Sequence, residues 1–323
     1  MNKRLPTFFI VGAQKAGTTS IHDWLVQQPD VCLPTVKETH FFSHEQRYAL
    51  GMDWYMRQFP ACAADAVVGE VDPEYIFHDA APGRIRRWIE APRLVFILRN
   101  PLDRAYSHYL MSVRRGYEKL GFEGALLAES KRLSARDNAF ALDHHSYMAR
   151  GSYSAQIARY KEVFPGADHL VVRFEEMVGK ETGDAVYERI CAFIGVKSSP
   201  SIADSSSRSN AASTARSFVL RDLLYRSSLP KKVLKALIPS HDVRMRLWIL
   251  ADRINRKPVE KGDGPGEIIV PASVLAGLAD EVSRLERVTG MDFSGWIRNA
   301  EDSGRYIFND AGPGAGPGAG AGA

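Results

Sequence analysis

The sequence predicts a single α/β domain: a central parallel β-sheet flanked by helices, followed by a helical C-terminal part. Three observations predict it. The run Thr7 to Val11 is short, apolar and rich in β-formers, and it feeds a loop with glycines at 12 and 17 and then an amphipathic helix. The run Leu94 to Leu98 is continuously apolar, the pattern of a strand buried on both faces. Elsewhere apolar runs alternate with helical patterns, which is the order of βα units and a doubly wound sheet.

Taken in order, the first helix carries Ile21, Trp24 and Leu25 on one face. Gln27 to Pro34 is extended, framed by prolines at 29 and 34. Val36 to Ser43 is aromatic and β-branched and reads as extended or loop. If extended, it projects Glu38 and His40 to one side and Phe41 to the other. Gly51 to Phe59 fits a short amphipathic helix, Ala66 to Val71 a strand stopped by Asp72-Pro73, and Pro82 to Ile89 a helix. After Arg99, Asn100 is a good N-cap and Pro101 a good first helical residue, for a helix running to Arg115. Gly151 to Phe164 gives a helix ended by Pro165-Gly166, His169 to Phe174 a strand, and Thr182 to Ile194 a helix ended by Gly195. Ser198 to Ser217 turns to Ser, Ala, Asn and Arg and reads as loop. Leu220 to Ile238, Val243 to Arg256 and Pro271 to Val288 read as helices, with no internal repeat and no second set of strands. The expected organisation is one domain over 1–308, with an α/β nucleotide-binding core at 1–197 and a loop and helical part at 198–308. Residues 309–323 form a Gly/Ala/Pro tail that cannot bury a core.

With 323 residues and 25% charged side chains, the composition is that of an ordinary soluble globular chain. A net charge of +4 suits anionic ligands and is too small to argue for nucleic acid. No apolar run approaches bilayer length, and the one behind the basic N-terminus is too short for a secretory signal. Cys32, Cys62 and Cys191 lack metal-ligand spacing, and such sparse usage points to the reducing cytoplasm.

Two stretches carry chemistry. In Gly12-Ala13-Gln14-Lys15-Ala16-Gly17-Thr18-Thr19-Ser20, a strand, a glycine loop and a helix N-terminus form an anion cradle. The loop is P-loop-like without being a Walker A motif: Thr18 stands where that motif has lysine, and the lysine lies inside the loop as Lys15. A plain strand-to-helix turn with a solvated lysine is the other reading of such a loop taken alone. In Leu98-Arg99-Asn100-Pro101, a second strand ends in a cation at the mouth of a second helix. Ligands of open α/β sheets bind at that end of the strands. Ser107 lies about two turns, roughly 10 Å, along the same helix. Taken alone, Arg99 reads first as the partner of a nearby carboxylate. Glu38 and His40, two ionisable groups beside apolar bulk, are candidates for proton transfer or, on the plainer reading, an exposed acid and a core-edge histidine.

Together and in this order these motifs resemble the sulfotransferases that use 3′-phosphoadenosine 5′-phosphosulfate (PAPS). The Lys-Glu-Thr-His-Phe-Phe stretch at 37–42 looks like the catalytic segment of the heparan-sulfate type of carbohydrate sulfotransferase. The resemblance implies a 5′-phosphosulfate loop of Lys15, Ala16, Gly17, Thr18, Thr19 and Ser20, and a 3′-phosphate site of Arg99 and Ser107. It further implies Glu38 as base with His40 beside it, Lys15 as the cation at the leaving phosphate, PAPS as donor, and a small-molecule or glycan acceptor. Where members of that branch often carry a second lysine, this chain has Val71. No acidic constellation demands a metal. Tyr48, Trp54, Tyr55 and His44 are either a sugar-stacking wall or core. Two other readings are a P-loop nucleotide kinase, which lacks its Lys-Ser/Thr pair here, and a non-catalytic nucleotide- or glycan-binding relative. The stretch around Asn210 to Arg216 is a candidate cover for the nucleotide.

Overall fold

A computed structural model describes residues 4–178, 180–197 and 270–297, with short pieces at 213–215, 250, 254, 256–258, 267–269 and 305–307. The chain runs β1 (Phe8–Gly12), α1 (Thr18–Leu25), β2 (Val31–Cys32), α2 (Glu45–Tyr48), α3 (Gly51–Met56), β3 (Val67–Val71), α4 (Ala80–Arg86), β4 (Arg93–Leu98) and α5 (Pro101–Arg114). It continues with α6 (Phe122–Leu133), α7 (Ala139–His144), α8 (Tyr153–Val163), β5 (His169–Arg173) and α9 (Lys180–Ile194). Then come β6 (Ser213–Ala215), β7 (Arg256–Pro258), β8 (Glu267–Ile269), α10 (Ala272–Thr289) and β9 (Arg305–Ile307).

The main sheet has five parallel strands in the order β2-β3-β1-β4-β5. Every residue of β1 and all of β4 after Arg93 are buried, as the unbroken apolar runs require of strands covered on both faces. Because β1 lies between β3 and β4, the loops leaving β1 and β4 open side by side at one edge of the sheet, where the strand order reverses. That geometry places the two chemical motifs together. Asn100 caps α5 as its sequence suggests: its side chain accepts from the N–H groups of Leu102 (2.9 Å) and Asp103 (3.4 Å). The core continues into an aromatic cluster of Phe9, Phe41, Phe42, Tyr55 and Tyr75, all within edge or stacking distance of a neighbour.

Four expectations change. The segment at 38–40 is not extended, since Glu38 (φ 60°) and His40 (φ 52°) both take the left-handed conformation. There is a second set of strands: β6 pairs antiparallel with β7, and β8 with β9. Residues 213–215, read as loop, are the strand β6, which packs against α5. Cys32 and Cys62 form a disulfide with Cα atoms 5.8 Å apart, while Cys191 is free and buried. Such a bond persists in oxidising compartments, so the cysteines no longer argue for a reducing one. Most of the region read as helical between 220 and 256, and the tail from 309, lie outside the described residues. Among the described residues no helix is long and apolar enough to cross a membrane.

Candidate active site

The loop after β1 is shaped by two close approaches. A Cβ on Gly12 would fall 2.3 Å from the side chain of Ile76, and one on Gly17 would fall 2.9 Å from the ring of Phe174. Gly17 caps α1 in the left-handed conformation at φ 85°, which glycine adopts without a steric penalty. No side chain caps the helix, and the first N–H groups of any helix lack partners within it. The Ser20 N–H turns back to the Gly17 carbonyl (3.0 Å), and the positive end of the α1 dipole faces the loop. Lys15, at φ 70°, sits on the rim half-buried, Ala16 and Thr18 are buried, and Gly17, Thr19 and Ser20 are half-buried.

Arg99 reaches this loop from the end of β4. Its Nη1 donates to the Lys15 carbonyl (3.3 Å) and its guanidinium lies 4.8 Å over the Phe174 ring. Its own carbonyl accepts from Tyr153 Oη (2.9 Å). Ser107 sits half-buried on α5, beyond the Asn100 cap on the same helix.

The third part is the segment at 37–42. Thr39 points inward: its N–H and hydroxyl donate to Glu70 Oε1 (3.2 and 2.6 Å). His40 is held by Asp72, which accepts from the His40 N–H (2.7 Å) and faces its Nδ1 (3.2 Å). With Thr39 anchored, Glu38 and His40 keep the outward side, each with 29% of its side chain exposed. Lys37 joins the segment to the loop, its Nζ donating to Thr19 Oγ1 (2.6 Å) while lying 3.3 Å from Glu38 Oε1. These contacts bring Lys15, Thr19, Arg99, Glu38 and His40 into one site.

Electrostatics separates the two proton-transfer candidates. Burial pushes the Glu38 carboxyl above its ordinary value against the pull of Lys37, so this acid titrates closer to neutrality than a free glutamate. Burial alone would lower His40, but the carboxylate of Asp72, with Glu74 and Glu38 behind it, holds it up at about 10. His40 is thus an imidazolium at neutral pH, a donor and not a base.

Sequence reasoning missed the acids on and after β3. Glu70 is buried and accepts from both Thr39 groups and from Tyr55 Oη (2.7 Å) and Tyr75 Oη (3.0 Å). Burial and then Asp72 push it up to about 7. Glu74 accepts from Gln14 Nε2 of the loop (2.8 Å) and Arg150 Nη1 (2.7 Å). Burial raises it, and the cations of Arg150 and His40 more than reverse this. An acid inside an apolar strand, followed by Asp-Pro-Glu, was the available signal. Of the proposed aromatic wall, Tyr55 is fully buried core, Tyr48 and Trp54 pack half-buried on Phe41, and His44 stacks on His40 at 4.9 Å. Val71 is buried in the core, so it presents nothing to the site. Among the described residues no group of three or more His, Cys, Asp or Glu side chains is placed to hold a metal ion.

Residues 5–218 match the family model of the sulfotransferase domain. The chain is 30% identical over 200 residues to the bifunctional heparan sulfate N-deacetylase/N-sulfotransferase 2 of Homo sapiens, which covers 60% of this chain and 22% of that protein. It is 28% identical over 198 residues to the heparan sulfate glucosamine 3-O-sulfotransferase 3B1 of Mus musculus, covering 61% and 47% respectively. The chain thus spans less than half the length of these two relatives. A crystal structure of a sulfotransferase from Alicyclobacillus acidocaldarius superposes with a TM-score of 0.62 at 28% identity, over 91% of this chain and 100% of that one. None of these matches favours the nucleotide-kinase reading. With the family match spanning the glycine loop, the Lys37–Phe42 segment and the Arg99 turn alike, the chain belongs to the sulfotransferase domain family.

Proposed function

We propose that this protein moves a sulfuryl group from PAPS to a hydroxyl or amine of an acceptor in the carbohydrate or glycoconjugate class. The observation that carries the reading is the contact chain that joins an anion cradle (Lys15 to Ser20), a second cation (Arg99) and a partly buried carboxyl (Glu38). The cradle fits a phosphosulfate: the N-terminus of α1, a glycine cap and a lysine on the rim. When bound, the donor supplies an activated sulfuryl group on a phosphate leaving group.

In this reading Ala16, Gly17, Thr18, Thr19 and Ser20 hold the 5′ end, and Lys15 stabilises the charge gathering on the leaving phosphate oxygen. Arg99 and Ser107 hold the 3′-phosphate. Glu38 takes the acceptor's proton, its carboxyl raised by burial towards the working pH. His40, fixed as a cation by Asp72, orients the acceptor oxygen through a hydrogen bond. A sulfuryl group carries less charge than a γ-phosphoryl group, so the reading needs no divalent metal.

The test is single-turnover transfer from PAPS with nucleotide titration on Glu38→Gln. The variant should be nearly inactive and bind nucleotide like the wild type, while His40→Ala should be milder. An inactive His40→Ala beside an active Glu38→Gln would reverse the assignment. Calorimetry should show a preference for adenosine 3′,5′-bisphosphate over ATP with Mg²⁺, and equal affinity for the two would count against the donor.

A further inference from the structure

The contacts of the Lys37 side chain span both halves of the site. Its ammonium donates to Thr19 Oγ1 at the start of α1 (2.6 Å) and lies 3.3 Å from Glu38 Oε1, with 29% of each of the paired side chains exposed. Thr19 belongs to the anion cradle and Glu38 is the base, so one charge sits between the donor's place and the proton acceptor. An ammonium has three donor hydrogens on a flexible stem, and it can change partners without moving the backbone. A base held in an ion pair is a poor base, because its lone pairs are occupied and its carboxylate form is stabilised. The phosphosulfate end of a donor seated at α1 would bring more than one negative charge to the rim where Lys37 already touches Thr19. The carboxylate of Glu38 offers one.

We propose that Lys37 changes partners on donor binding: it pairs with Glu38 while the cradle is empty and turns to the sulfuryl end of the donor when the cradle is filled, releasing Glu38 to the acceptor. The proposal rests on the sulfotransferase reading and gives it an order. Donor binding arms the base, so an acceptor arriving first meets a carboxylate that is already engaged. The charged groups facing the pair are few. Glu38 faces Lys37 and His40 from its own segment and Asp72 from the end of β3, and His22 of α1 faces Lys37. His40 is fixed by Asp72, and Val71 on β3 is buried, so Lys37 is the group on this side with freedom to exchange.

The experiment uses Lys37→Met, which keeps the stem and removes the charge, and Lys37→Arg, which keeps the charge. Two measurements need no turnover. The first is calorimetry with PAPS and with adenosine 3′,5′-bisphosphate, which lacks the sulfuryl group. Lys37→Met should weaken PAPS roughly 10–100-fold, the worth of a hydrogen bond to a charged group, and change the bisphosphate little. Lys37→Arg should retain most of the preference for PAPS. The second follows the Glu38 carboxyl by carbon NMR, its signal assigned by loss in Glu38→Gln. Its midpoint should rise by about one pH unit in nucleotide-free Lys37→Met, and should rise in the wild type when PAPS is added. Equal weakening of both nucleotides, or a wild-type Glu38 midpoint that PAPS leaves in place, would overturn the proposal and make Lys37 a strut for α1. A wild-type protein that binds PAPS no better than ATP would instead overturn the functional reading itself.

Discussion

The charge on His40 can be tested by replacing Asp72 with asparagine. Asp72 is fully buried and faces His40 through both its backbone N–H and its ring. A carboxamide keeps an acceptor at that point and removes the negative charge. His40 keeps its proton to about pH 10 in the folded protein, against 6.5 for an ordinary histidine. The bound proton therefore favours the folded state fully below pH 6.5, and the contribution drains as the pH rises through 10. At about 1.4 kcal/mol per tenfold change, the whole displacement corresponds to about 5 kcal/mol, of which about 3 lies between pH 7.5 and 10.5. The 29% exposure of the His40 side chain lets solvent screen part of it, leaving about 2–3 kcal/mol. Glu70, pushed up to about 7, titrates mostly below that window. Urea denaturation of wild type and Asp72→Asn at half-unit intervals across the window should show a stability gap that closes by about 2–3 kcal/mol at the alkaline end. In the variant the imidazole resonances of His40 should titrate well below pH 10, since burial now acts unopposed by Asp72. A gap that stays constant with pH, or a wild-type His40 that titrates near 6.5, would refute the reasoning and return His40 to the list of candidate bases.

Three other outcomes are expected. Lys15→Ala should keep its fold by circular dichroism and lose about 10²–10³ in turnover, the usual effect of removing one preorganised donor; near wild-type turnover would remove Lys15 from the chemistry. Arg99→Ala and Ser107→Ala should weaken adenosine 3′,5′-bisphosphate while leaving the analogue without the 3′-phosphate nearly unaffected, with Arg99 the larger effect because its bonds are charge-assisted; equal losses on both nucleotides would mean support of the fold. Gly17→Ala forces a left-handed alanine against Phe174 and should lower stability by about 1–2 kcal/mol in urea titration, with weaker nucleotide binding by calorimetry.

The local geometry of the loop and of the Arg99 turn, proposed to hold the donor, was legible because each is set by neighbouring residues. A glycine loop after a buried strand, and Asn-Pro after another, state their geometry in neighbouring residues, and parallel strands buried on both faces leave unbroken apolar runs. The geometry of the Glu38–His40 segment is written at long range. The left-handed turns at Glu38 and His40 depend on bonds to Glu70 and Asp72, some thirty residues later, and no local propensity announces them. Spacing alone did not choose between Glu38 and His40, and the charged state of His40 likewise depends on Asp72, a residue distant in sequence. Tyr55 stood open between wall and core because aromatic residues serve both; its full burial and hydroxyl bond to Glu70 place it in the core. The antiparallel pairs escaped because three-residue strands carry too little alternation to register.

The disulfide gives the site an uneven mechanical character. Cys32 and Cys62 are 30 residues apart, and the covalent ring they close contains Lys37, Glu38 and His40 together with α2 and α3. The cradle residues 12–20, Arg99 and Ser107 all lie outside it. The cradle proposed for the donor therefore lies on backbone outside the ring, held by the sheet and by side-chain bonds such as Gln14 to Glu74 and Lys37 to Thr19, whereas Glu38, the proposed base, rides on a hoop fastened at both ends. Cys62 is half-exposed and Cys32 is buried, so the fastening is reached from the Cys62 side. In that reading a thiol reagent that opened the hoop would slacken Glu38, His40 and Lys37 and leave capture of adenosine 3′,5′-bisphosphate by the cradle standing. A preparation made in strong reductant would, in that reading, bind adenosine 3′,5′-bisphosphate well and transfer poorly.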